Sequence, residues 1–125
     1  LYKKMEKKNE KKEYVIDAQG KALGRVATEV VKFLRGKNEV TFVKHLTPNV
    51  IVKVINAGKL DVTQKKMKEK IYHHYTGHPG GLRETPLNRM VEKKGWSEPI
   101  RKAVYGMLPD NRLRAVMMNN LIITE

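Results

Sequence analysis

The residues best equipped for chemistry lie together in Tyr72-His73-His74-Tyr75-Thr76-Gly77-His78-Pro79-Gly80-Gly81-Leu82-Arg83. Three chemistries would use such a set. The first is metal binding. His74 and His78 have the i,i+4 spacing that places two ligands on one helix face, but Gly77, Pro79, Gly80 and Gly81 forbid that helix. The chain has no cysteine, and Glu84 lies beyond the loop, so zinc lacks a preformed donor set. The second is a ribonuclease with His73 or His78 as general base and a nearby cation steadying the phosphate. The third is static contact with folded RNA: rings stack on bases, imidazoles hydrogen-bond, glycine frees backbone amides for close approach, and Arg83 meets phosphate. Static contact needs no tuned pKa and asks least of these residues.

A strand must deliver this loop, and the alternation through Ile71 to Tyr75 supplies one. The ordered domain is expected to open on a short strand at Tyr14-Val15-Ile16-Asp17, turning at Gly20. From Lys21 to Arg35 the period is helical: Leu23, Val26, Ala27, Val30 and Leu34 fall on one face, Lys21, Arg25, Lys32 and Arg35 on the other, and Gly36 stops the helix. Gly20 to Arg25 resembles a nucleotide loop only superficially, because the Gly-Lys-Ser/Thr ending is missing. Residues 50–55, Val-Ile-Val-Lys-Val-Ile, read as a central strand covered on both faces. His45 stands among apolar neighbours and is expected to be structural. A basic loop then carries Lys65, Lys66, Lys68 and Lys70.

Beyond the loop, Thr85-Pro86 reads as an N-cap and first helical residue for a helix carrying Leu87, Met90 and Val91 and stopping at Gly95. Trp96 packs at the junction. Ser97 caps the next helix, with Ile100, Ala103, Val104 and Met107 inward and Arg101 and Lys102 outward; Pro109 ends it. Asp110 or Asn111 starts a short helix carrying Leu113, Val116 and Met117, and Leu121 to Thr124 forms the last strand. Strands alternating with helices predict an α/β layer sandwich around a small, largely parallel sheet. The turn between the last two helices is flanked by Arg112 and Arg114, a second candidate RNA contact.

Composition fits that reading. The 125 residues suffice for one domain, which we place at residues 14–125 behind a basic, low-complexity extension at residues 1–13. Twenty-six Lys+Arg against 13 Asp+Glu give +13, and ten of those charges lie beyond residue 13, so the folded body itself is basic and expects a polyanionic partner. No apolar run is long enough for a membrane span, and no apolar segment near the start resembles a secretion signal. The chain opens on Leu1, compatible with a trimmed or processed product. No cofactor, metal or small-molecule substrate is expected.

Val15-Ile16-Asp17-Ala18, Gly20-Lys21, Leu23-Gly24-Arg25 and Leu34-Arg35-Gly36-Lys37 resemble the opening of the universal large-subunit ribosomal protein family numbered thirteen. Val54-Ile55-Asn56-Ala57, Tyr72 to Gly81, Val104-Tyr105-Gly106-Met107-Leu108-Pro109 and Asn111-Arg112-Leu113 resemble its bacterial-type signatures in the same order. The chain departs from the pattern in a short connector between Phe42 and Val50, in Thr63-Gln64-Lys65 without the glycine after the threonine, and in the ending Leu121 to Glu125. The resemblance implies a three-layer α/β/α domain with a four-stranded parallel sheet. It implies a non-catalytic role as a structural constituent of the large subunit, binding ribosomal RNA beside neighbouring ribosomal proteins and supporting early assembly in the bacterial cytoplasm or an organelle. The residues expected to contact RNA, from the resemblance and the basic pattern together, are Lys21, Arg25, Arg35, Lys37, Lys65, Lys66, His73, His74, Tyr75, His78, Gly80, Gly81, Arg83, Lys102, Arg112 and Arg114. The alternatives are a free RNA-binding regulator outside the ribosome and the histidine-based ribonuclease.

Overall fold

In the computed structural model, residues 11–40 and 42–125 are described; most of the basic extension lies outside them. The elements run β1 (Lys12–Asp17), α1 (Leu23–Arg35), β2 (Val50–Ile55), a 3-10 turn (Ala57–Lys59), α2 (Gln64–Glu69), β3 (Ile71–Tyr75), β4 (Leu82–Pro86), α3 (Leu87–Lys94), α4 (Ser97–Met107), α5 (Leu113–Asn119) and β5 (Leu121–Ile123). The fold is α/β with a parallel sheet, as expected. That sheet has three strands in the order β1-β2-β5, with Tyr14 opposite Val52 and Val52 opposite Leu121.

The expected fourth strand, Ile71–Tyr75, pairs instead with Leu82–Pro86 in a separate antiparallel hairpin. Residues 82–86 therefore form a strand before the helix begins at Leu87, and Thr85 supplies no cap. Strand order advances in one direction from β1 through β2 to β5, so crossovers of the same hand place their helices on the same face. There α1 packs against α4, and the core holds Ile16, Val52, Val54 and Leu121 from the sheet with Val26, Val30, Leu34, Ile100 and Val104 from the helices. On the opposite face Val15, Ile55 and Ile122 remain exposed, and Lys53 pairs with Glu13 at 3.1 Å. Val50–Ile55 is thus covered fully on one face only.

Helix α1 forms as its pattern requires. All five residues of its apolar stripe are buried, each contributing about 1.5–3 kcal/mol for the larger side chains. It ends where Gly36 takes φ 75°, a left-handed cap that a side chain enters at a cost. Trp96 packs against the core edge as expected. His45 is exposed rather than packed, which corrects its structural reading.

Candidate nucleic-acid interface

Alternation along the hairpin sorts its chemistry onto two faces. In the register, His73 faces Glu84 and Tyr75 faces Leu82, while Tyr72 faces Thr85 and His74 faces Arg83. The face with Tyr72 therefore carries His74 and Arg83. The other carries His73, whose Nδ1 lies 3.6 Å from a Glu84 carboxylate oxygen, and the exposed Ile71, Tyr75 and Leu82. The single acid of the hairpin thus sits away from Arg83.

The turn at the hairpin tip is closed by its own backbone. Thr76 N–H donates to the Gly81 carbonyl at 3.2 Å and Gly81 N–H to the His78 carbonyl at 2.9 Å. Gly77 and Gly80 adopt φ 89° and 74°, and a Cβ on Gly81 would collide with the Thr76 hydroxyl and the His78 carbonyl. The glycines at 77, 80 and 81 first satisfy the turn. Gly80 has open space where a Cβ would stand, and His78 is exposed beside it.

A cleft of about 690 Å³ opens where the hairpin base meets α2, α4 and the start of α1. Helix spacing gathers its cations. Lys66 and Lys70 stand four apart on α2 and its C-cap, and Glu98, Arg101, Lys102 and Tyr105 share the side of α4 opposite the buried Ile100 and Val104. Tyr72 forms part of the wall, with the Lys70 ammonium 5.4 Å and the Lys102 ammonium 5.8 Å from its ring centre. Its half-burial pushes the phenol pKa up, so the ring stays neutral. Helix α2, read as a loop in the sequence, forms because the Thr63 side chain accepts the Lys66 N–H at 3.3 Å; Gln64 takes the first helical position.

Other candidates are placed unevenly. Lys21 shares its charge with Glu29 at 3.2 Å. Arg25, Lys37 and Lys65 are exposed, and Arg35 is half-buried at the end of α1. Arg112 is exposed, whereas Arg114 is half-buried and pairs with the exposed Asp110 at 3.0 Å. Sequence reasoning missed Lys70, Tyr72, Arg101 and Tyr105 as parts of one site. The i,i+4 recurrence of Lys66 with Lys70 and of Arg101 with Tyr105 was the available signal.

Fold and charge define the class: a small, basic α/β protein that presents its cations on a hairpin and the helices beside it. The family model described as ribosomal protein L13 matches residues 11–124, and the chain belongs to that family. The chain is 45% identical over 114 residues to the large ribosomal subunit protein uL13 of Rubrobacter xylanophilus, covering 91% of this chain and 79% of that protein. It is 46% identical over 112 residues to the protein of the same name from Clostridioides difficile, covering 90% and 78%. With that of Chlamydia muridarum it shares 45% identity over 112 residues, covering 90% and 74%. The family is one of structural ribosomal components, not of enzymes.

Proposed function

We propose that this chain is a constituent of the large ribosomal subunit in the bacterial cytoplasm, where it binds ribosomal RNA, lies beside other ribosomal proteins and supports early subunit assembly. The observation that carries the RNA contact is the convergence of Lys66, Lys70, Arg101 and Lys102 on one cleft. Among the described residues none of them has an ion-pair partner. Cations left unpaired by the protein are available to phosphates, and neutralised phosphates let RNA segments pack closely. His74 and Arg83 share the hairpin face that carries Tyr72, and Arg25, Lys37, Lys65, His78 and Arg112 are exposed and open to further RNA contact.

Sedimentation of a cell lysate at moderate and high salt tests it. Electrostatic association alone weakens as a power of salt of about 0.7–0.9 per neutralised phosphate. Retention in the large-subunit peak after the high-salt wash is the expected result. Absence from that peak at both salts overturns the ribosomal role and leaves a free RNA-binding regulator.

A further inference from the structure

We infer that the cleft between the hairpin base and α4 is a subsite for one nucleotide extruded from folded RNA, its phosphate held by Lys66, Lys70 and Lys102 and its base set against Tyr105. The inference rests on the RNA-binding reading above and gives it a particular point of contact. Two ammonium groups from different elements stand within 6 Å of a single ring centre, 5.4 Å for Lys70 and 5.8 Å for Lys102. Lys66 and Arg101 line the same space, with Glu98 the one carboxylate in its wall. Like charges gathered this way repel, and an anion seated among them relieves the repulsion. The occupant is therefore anionic.

The rest of the wall says what kind of anion. Tyr72 and Tyr105 contribute aromatic surface, and Leu23, Ala103 and Met118 contribute apolar surface, which an inorganic ion does not use and a nucleobase does. The Tyr105 ring is held by Arg114, whose guanidinium carbon lies 3.8 Å from the ring centre. A ring fixed in this way offers stacking area without first having to be ordered. The volume of about 690 Å³ lies within the roughly 300–1,000 Å³ range of sites that enclose one small ligand, so a duplex stays outside. Beyond Tyr72 the same hairpin face continues with His74 and Arg83, which gives the adjoining phosphates of a strand a basic path and favours an RNA-borne nucleotide over a free one.

Binding of the full chain to a labelled, unstructured oligouridylate, followed by fluorescence anisotropy across a salt series, tests this. Replacing both Lys66 and Lys102 by Gln, exposed positions that leave the core intact, is expected to weaken binding. It should also reduce the slope of log K against log salt by about 0.7 for each phosphate that is no longer neutralised. Tyr105→Leu is expected to weaken binding about tenfold with the slope unchanged, since a stacked base contributes affinity without counterion release; Tyr105→Phe is expected to restore it. Thermal melts establish that each variant is folded. Wild-type affinity in both the lysine double variant and Tyr105→Leu overturns the subsite while leaving the RNA-binding reading in place. Weakening in Tyr105→Phe equal to that in Tyr105→Leu overturns the stacking role. Displacement by uridine monophosphate as effective as by oligouridylate overturns the RNA-borne source. A wild-type chain that binds neither oligouridylate nor large-subunit RNA overturns the parent reading as well.

Discussion

Arg114 Nη2 donates to the Tyr105 hydroxyl at 2.8 Å, joining α5 to α4 across the turn that separates them. The same nitrogen lies 3.0 Å from Asp110 Oδ1, and the Arg114 side chain is only 20% exposed. Arg112, two residues earlier, is exposed. Two arginines that look alike in sequence thus have different work. Arg114→Ala is expected to lower stability by about 1 kcal/mol, the scale of a partly buried cation–π contact with a charged hydrogen bond. Arg112→Ala should leave the urea midpoint unchanged and weaken RNA binding, with a smaller salt slope. Urea melts and salt-dependent binding on the two variants separate the roles; a destabilised Arg112→Ala would reverse them.

The hairpin tip should be intolerant at one glycine. Gly81→Ala drives a methyl into the Thr76 hydroxyl and the His78 carbonyl, costing about 1–3 kcal/mol locally. Hydrogen exchange is the measurement: the Thr76 amide, bonded to the Gly81 carbonyl, should lose protection while the amides of β2 keep theirs. Unchanged exchange at Thr76 would show that the turn accommodates the methyl.

Leu34 is fully buried between α1 and the sheet. Leu34→Ala should cost about 2–5 kcal/mol through reduced apolar burial and the cavity left behind. Chemical denaturation reads this directly, and a cost under about 1 kcal/mol would mean the site collapses around the gap.

The carboxylate of Asp17 accepts the Gln19 N–H at 2.9 Å and then the Asn56 side-chain amide at 3.0 Å. These bonds, in that order, hold its pKa below the ordinary 3.8. The folded value is the lower one, so the stabilisation is present above the unfolded value and disappears as pH falls through the folded one. Melting temperature followed from neutral pH down past 3.8 should therefore show an acid-side decline that is shallower in Asp17→Asn. An identical decline in both proteins would remove Asp17 from the account.

Much of the fold is legible in the sequence because burial writes a period into it. The α1 stripe from Leu23 to Leu34 appears in the structure with the expected residues inside, and Val50–Ile55 is the expected middle strand with Val50, Val52 and Val54 buried. Two elements leave no such mark. Helix α2 buries none of its residues, so a local cap and neighbouring α3 hold it rather than an apolar face. Strand β4, Leu-Arg-Glu-Thr-Pro, lacks strand composition and exists because β3 needs a partner; Thr85-Pro86 suggests a helix start at the same place. The second face of the sheet is misleading because Ile51 and Ile55 read as core where alternation places them on the less covered side. The cleft is hidden for a different reason. Its walls come from α1, α2, β3, α4 and α5, and no spacing in a linear chain announces that meeting.

Strand order has a consequence for the moment of synthesis. β1, α1 and β2 leave the ribosome in succession and have their partners at hand. β5 comes last, yet Val52 N–H bonds to the Asn120 carbonyl and Thr124 N–H to the Val54 carbonyl. Until residues 120–124 have been made, the middle strand of the finished sheet is an edge, with a β-branched sequence and open hydrogen-bonding groups. The interval between translating Ile55 and translating Thr124 is therefore the time during which that edge is open to mispairing.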